Sequence, residues 1–557
     1  VTIATGPSPE APAAFRGRFR TDALARALYA EAAGISRVVP AAVAVPVDAE
    51  DLAALVKWAR REGRSLIPRG SGSSMAGGAV GPDIVVDLSR FTEIGAVDVD
   101  ARTVRVGAGA LRDRVDAAAR PYGLCFPVDP SSGAFCTIGG MIATNAAGAR
   151  TLRYGTTRRW VRGLHCVFDD GSVGWVRRDA PPPRHIPAVA RLMEALELLR
   201  DVDAARWEHR GVRKESSGYA IADALMPGGH LLDLLVGSEG TLAFFTEAEL
   251  FLAPVPLATA TVLAAFSSLD DATACAVEAR AAGARACELL DRTFLEVAAR
   301  GGATGVPTDA DAVLLIEVEG TEAMTTADVA EDVAALCRRH RASEVITAVE
   351  PESEHDLWAL RHAASPILSR LAPRVRSMQF IEDGCVPPSR FAEYVRGVRV
   401  ILARSDTPGV IFGHAGDAHA HVNPLVDVMR HDWRDRVCRI LDDVTDLTAS
   451  LGGTLAGEHG DGRLRAPLLH RVWSTEACDA FRRIKRAADP HNVLNRGCKV
   501  AIHNEGIGAP TNGQASDAIG TVKYDPSAAP LPAQARDYLD AVERDRAWHR
   551  FRLDGAT

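Results

Sequence analysis

The chain has 557 residues, enough for two or more domains with a sizeable core, and its 47% hydrophobic and 24% charged content is ordinary for a globular protein. A formal net charge of −8 argues against a nucleic-acid surface, and no run of eighteen apolar residues offers a membrane-spanning helix. The ten cysteines are scattered with no C-x-x-C pair, which argues against an iron–sulfur site or a disulfide framework and fits the reduced thiols of a cytoplasmic protein.

The opening fourteen residues are rich in Ala and Pro, have no basic stretch leading into an apolar core, and are expected to form a loose arm. Residues 51–61 have helical spacing, with Leu52, Leu55, Val56 and Ala59 on one face. A strand-like run at 65–68 leads into Arg69, Gly70, Ser71, Gly72, Ser73 and Ser74, and on to Gly78. Such a loop lets backbone N–H groups approach a phosphate without Cβ obstruction, and its serines add donors. It matches neither the G-x-G-x-x-G fingerprint nor a Walker loop, and taken alone it also reads as a flexible loop. Residues 84–88 and 103–106 read as strands.

A second run of small residues follows Asp129 and contains Thr137, Gly139, Gly140, Thr144, Asn145 and Gly148. It reads either as a tight helix start or as backbone lying against something flat or anionic. Two such loops separated by strands favour one extended ligand held by both. Glu239, Gly240 and Thr241 then precede an alternating strand at 244–251.

In the second half, His414, His419, His421 and Asn423 lie within one short segment, and Glu458-His459 follows about forty residues on. A strand there puts His419, His421 and Asn423 on one face, and the glycine-containing turn ahead of them can fold His414 back onto it. With Glu458 this makes a His/His/Glu set that suits a divalent ion such as zinc and leaves a position open. Residues 477–488 read as a helix, and the tail 501–557 ends in a charged helix candidate at 533–550.

The segments 69–78, 137–148 and 237–242 together resemble the FAD domain of the vanillyl-alcohol-oxidase/p-cresol-methylhydroxylase type. The second half resembles the cap of its D-lactate, glycolate and D-2-hydroxyglutarate dehydrogenase branch. Phe380-Ile381-Glu382-Asp383 and the 457–467 segment are most similar to a subgroup that adds an iron–sulfur half. The resemblance implies an α+β protein: an arm and helix at 1–36, a two-subdomain FAD-binding domain at 37–254, an antiparallel-sheet cap at 255–469, a return to the flavin at 470–500, and a tail that either packs or docks a partner. It assigns the two glycine-containing loops to the FAD pyrophosphate, Glu239-Gly240-Thr241 to the flavin edge, and Asn495 to the flavin's neighbourhood. FAD is expected to be noncovalent, because Ser73, Ser74 and Met75 offer no histidine for attachment.

The same resemblance makes His414, His421 and Glu458 metal ligands, Asn423 and His459 substrate contacts, and Arg361 the carboxylate-binding arginine; His459 is the expected base, the alternatives being that it orients Glu458 and that Arg361 is a surface ion-pair residue. It departs at Ala418-His419, where relatives carry Gly-Asn, and at Asn495-Arg496-Gly497-Cys498-Lys499, one residue longer than the usual Asn-Pro-Gly-Lys. Ile381 falls where metal-dependent D-2-hydroxyglutarate enzymes have a lysine, which favours a lactate-like substrate. The implied activity is FAD-dependent oxidation of a D-2-hydroxy acid to the 2-oxo acid. A non-redox flavoenzyme of alkylglycerone-phosphate synthase type and a catalytically silent flavoprotein subunit are the alternatives. A separate electron acceptor is expected, an iron–sulfur protein ahead of a quinone, cytochrome or electron-transfer flavoprotein. Homodimerisation and peripheral membrane association stay open.

Overall fold

A computed structural model describes residues 9–303, 305–320, 324–362, 374–500 and 514–556. The apolar runs Ala42–Val45 and Ile84–Asp87 form fully buried strands, as expected of a parallel sheet covered on both faces. The sheet order is Arg18–Arg20, Ala42–Val45, Ile84–Asp87, Leu66–Arg69, with only the first pairing antiparallel. Residues 18–20 therefore belong to this subdomain and not to an arm, because they satisfy the edge of Ala42–Val45. Residues 1–8 of the expected arm lie outside the described residues. Helix Ala49–Arg61 is capped by Asp48, which accepts from Asp51 N at 2.8 Å, and it buries the predicted Leu52, Leu55, Val56 and Ala59.

The second subdomain is a five-stranded antiparallel sheet in the order Ile94–Asp98, Thr103–Gly107, Phe244–Phe251, Val161–Val167, Val173–Arg177. The small-residue run packs against it as helix Ile138–Thr144, capped by Thr137 and ended by Asn145 in the left-handed region (φ 54°). That run is a helix start, and it also lines a cavity.

The cap is an antiparallel sheet in the order Glu344–Ala348, Thr259–Phe266, Ala312–Glu319, Ala286–Asp291, Gly409–His414, His419–Asp427, Val375–Ser377. Helices Leu269–Ala281, Thr326–Arg339, Phe391–Arg404 and Trp433–Ser450 cover one face and form the largest apolar core with it. The other face carries a smaller apolar cluster around Phe294, Leu360 and Val410, and beside it the polar residues of the site.

Helix Thr475–Ala488 returns the chain to the FAD domain and packs on helix Pro187–Glu197. Leu66 N then donates to Val493 O and Asn495 N to Leu66 O, which adds the return to the edge of the first sheet. The tail from 514 packs on the chain's own domains: helix Ala515–Ala518 lies against Trp433–Ser450, and helix Ala533–Arg544 against Ala23–Leu28. This last helix stops short of 550 because Arg546 takes a left-handed conformation (φ 51°). Residues 501–513 lie outside the described residues. No helix among the described residues is long and apolar enough to cross a membrane.

Candidate active site

The strands Gly409–His414 and His419–Asp427 pair with His414 opposite His419 and Phe412 opposite His421. A tight turn at Ala415–Asp417 makes this possible, with Ala418 in the left-handed region (φ 56°). His414, His419, His421 and Asn423 therefore share one face, as the alternation predicts. The second segment is brought onto it by Asp383, whose carboxylate accepts from Glu458 N (3.1 Å) and His459 N (2.9 Å). Buried between His459 and Arg465, Asp383 is held well below the usual carboxylate range despite its burial.

Three donor atoms converge. His414 Nε2 lies 3.2 Å from Glu458 Oε1, His421 Nε2 lies 3.3 Å from the same oxygen, and the two Nε2 atoms are 3.3 Å apart. Ligands at the ~2.0–2.1 Å bond lengths of tetrahedral zinc stand roughly 3.3 Å from each other, so the triangle has the right size for such an ion. The far nitrogens are already occupied. His414 Nδ1 faces Glu288 Oε1 at 2.5 Å, and His421 Nδ1 donates to the Glu382 carbonyl at 2.9 Å, which orients both rings. Burial lowers the pKa of His421 and keeps it neutral, whereas Glu288 and Glu458 outweigh burial at His414 and raise it to about 9. Glu288 and Glu458 thus favour positive charge at this corner, which a proton or a metal cation can supply. His419 has a ring nitrogen within 4.8 Å of the other donors, but its Nε2 is engaged by Asp383 at 2.9 Å.

His459 projects beside this triangle with Nδ1 3.3 Å from Glu382 Oε1, and Nε2 faces Glu458 Oε1 at 3.9 Å. Burial opposes its charge, but Asp383 and Glu382 raise its pKa to about 9. Arg361 Nε donates to Glu288 Oε2 at 2.8 Å and its guanidinium stacks on Phe412 at 4.5 Å, so it stands against the same site wall. Glu382, Asp383 and Arg465 entered the sequence reading only as motif residues without a role, and Glu288 escaped it, as did Lys214, whose fully buried Nζ donates to Glu458 Oε2 at 3.0 Å. A detectable signal existed for Glu288: an acid inside the wholly buried strand Ala286–Asp291 requires a cationic partner.

The site opens into a cavity of about 1880 Å³, well above the ~300–1,000 Å³ of ordinary small-molecule pockets. Its wall includes Gly70, Ser71, Gly72, Ser73, Ser74, Asp129, Thr137, Gly139, Gly140, Thr144, Gly148, Glu239 and Gly240 at one end, and Arg361, His414, His421, Asn423, Glu458 and His459 at the other. The loops meet only because glycine permits it: a Cβ at Gly70 would lie 2.2 Å from Thr137 Oγ1, and one at Gly148 would lie 2.4 Å from Asp129 O.

Several expected cofactor contacts have other duties. Arg69 borders the cavity, but its buried guanidinium donates to the carbonyls of Glu31, Tyr29 and Ala79 and braces the loop from behind. Asn145, Thr241 and Asn495 lie behind the wall. Asn145 accepts from Arg158 N, Thr241 bonds Tyr219 and Ser238, and Asn495 donates to Glu239 O and Gly78 O. The Glu239 carboxylate accepts from Asp461 N and Gly462 N, both at 2.8 Å, so it ties the FAD domain to the 457–462 loop. Ile381, expected to stand at the substrate's far end, instead packs in the cap core, 5% exposed and outside the cavity wall.

Fold and site together define a two-subdomain FAD-binding oxidoreductase with an antiparallel cap. Residues 40–177 match the FAD binding domain, and residues 255–498 match the C-terminal domain of FAD linked oxidases. The chain is 32% identical over 463 residues to glycolate oxidase subunit GlcD of Bacillus subtilis, covering 82% of this chain and 88% of that protein. It is 32% identical to D-lactate dehydrogenase of Archaeoglobus fulgidus, with 82% and 90% covered. Identity to D-2-hydroxyglutarate dehydrogenase of Pseudomonas putida is 31%, covering 87% of this chain and half of that protein. Among solved structures, a 4-ethylphenol oxidase from Gulosibacter chungangensis superposes with a TM-score of 0.63 at 14% identity, over 87% of this chain and 95% of that one. The chain belongs to the FAD-linked oxidase family and binds FAD.

Proposed function

We propose that the protein is a dehydrogenase that oxidises a 2-hydroxy acid of D configuration to the 2-oxo acid. The convergence of His414 Nε2, His421 Nε2 and Glu458 Oε1 to 3.2–3.3 Å, at the wall of the FAD cavity, carries this reading. The two glycine-containing loops would hold FAD, which would supply a hydride acceptor for the substrate's Cα. His414, His421 and Glu458 would hold a divalent ion, zinc by donor type, which would supply Lewis acidity toward the substrate hydroxyl.

The chain's own residues supply the rest. Arg361, fixed by Glu288 and Phe412, offers its guanidinium to the substrate carboxylate in a charge-assisted bond. Asn423, on the same strand face as His421, orients the substrate by hydrogen bonding. His459 takes the hydroxyl proton at Nε2, since Nδ1 is turned to Glu382. Glu382 and Asp383 stabilise the resulting imidazolium, and a dication bound at the neighbouring triangle would lower the ring's proton affinity beforehand, against the pull of those two carboxylates. A separate carrier, with an iron–sulfur protein favoured, reoxidises the flavin.

Anaerobic mixing of the FAD-loaded protein with a panel of D- and L-2-hydroxy acids, of one and two carboxylates, tests the reading by flavin bleaching. Bleaching by D acids alone is expected, and its loss on chelation supports the metal. A flavin left fully oxidised by every 2-hydroxy acid, with metal supplied, would sink the proposal.

A further inference from the structure

The tail forms a wall of the FAD cavity. Lys523 Nζ donates to Ala32 O and Ala33 O at 3.4 Å, and the buried Arg552 donates to Ser71 O at 3.2 Å. Ala33 N and Gly34 N in turn donate to Gly72 O and Ser74 O, at 2.9 and 3.2 Å. The outer side of the glycine/serine loop is thus held by tail residues, directly and through residues 32–34.

Charge balance gives this wall a role. A diphosphate is dianionic, yet the cations beside the two loops are already engaged. Arg69 is bound to carbonyls, Arg150 pairs with Asp129 and Glu317, and Lys523 pairs with Glu543. Among the described residues, Arg546 borders the cavity without a carboxylate or carbonyl partner, and its guanidinium stands 5.5 Å over the Phe135 ring, two residues before Thr137. Arg376, also unpaired, lies at the cap end against Tyr524.

The backbone adds a second observation. Arg546 has φ 51° where helix Ala533–Arg544 is closed by Ala547 N donating to Val542 O, a place that favours glycine. A long cationic side chain therefore occupies a position whose backbone prefers none, and such strain is a pointer to function.

We propose that Arg546 is a cofactor contact, pairing with the diphosphate of FAD between the two loops, so that the tail completes the dinucleotide site. This rests on the FAD reading above. The test measures binding of FAD and of ADP to the full chain freed of flavin, for the parent and for Arg546→Gln, Arg546→Lys and Arg546→Gly. Loss of a bond to a charged group should weaken both ligands roughly tenfold or more in the Gln and Gly variants, and less in the Lys variant. The unliganded Arg546→Gly protein should melt no lower than the parent, because glycine relieves the left-handed backbone; a merely structural arginine would not give that split. Gln and Gly variants that bind both ligands within twofold of the parent would overturn the contact alone. A parent that binds neither FAD nor ADP would overturn the cofactor reading and the contact with it.

Discussion

Each proposed metal ligand is oriented by a group on the far side of its ring or by a buried ion pair, so the site's residues differ in what their loss should reveal. His421→Ala removes one corner of the triangle while leaving the glycine-containing loops untouched. Turnover should fall by about 10²-fold or more while FAD stays bound, as read by steady-state rates beside the flavin absorbance. Asp383→Asn leaves the triangle's atoms in place but weakens the acceptor that docks Glu458 N and His459 N. Metal affinity should drop roughly 10–100-fold with FAD affinity unchanged, measured by titration with zinc; equal affinity in parent and variant would remove Asp383 from the positioning role. His414, His421, Glu458 and His459 were legible because they lie close together or on one alternating strand. Glu288 and Asp383 were not, because they come from 126 and 36 residues away, respectively, and meet the histidines only through sheet register and loop packing.

At the scale of elements, period-2 and period-3.6 patterns were enough to place the strands at 66–69, 84–87 and 244–251 and the helices at 49–61 and 475–488. The helix at 138–144 was harder to read, since small residues serve equally as a packed helix and as a cradle. Its first glycine is tightly confined: a Cβ at Gly139 would come within 2.8 Å of Ala108 Cβ and 2.9 Å of Ala108 O. Gly139→Ala should push this helix off the sheet that supports it. FAD affinity should weaken by at least tenfold, seen as free flavin after gel filtration, whereas zinc binding at the distant triangle persists. Motif position carries Asn145, Thr241 and Asn495 to the expected loops without saying which way their side chains turn. Those three satisfy backbone groups behind the wall instead.

For the molecule as a whole, the two FAD subdomains and the antiparallel cap followed from the order of motifs, but the tail's course did not, because a charged amphipathic helix fits a partner as well as its own domain. Its contacts with both the cap and the N-terminal segment make it part of the folded unit. FAD at about a hundred times its Kd should stabilise the full chain by about 2.7 kcal/mol. Removal of 514–557 should both lower the melting temperature and shrink that increment, which thermal scans with and without FAD would measure. An unchanged increment would leave the tail outside the cofactor site.

The Glu239 carboxylate has a mechanical consequence. It holds Asp461 N and Gly462 N at 2.8 Å, and Lys499 Nζ stands 3.4 Å away, all in buried surroundings. Swinging the cap open on a hinge would break the two cap-loop bonds at once, each hydrogen bond to a charged group being worth about 1.5–3 kcal/mol. The glycine-containing loops and the histidine face are thus braced against each other through one side chain. Substrate is expected to come and go through the mouth of a standing cavity, and protection of the Asp461 and Gly462 amides from hydrogen exchange would check it.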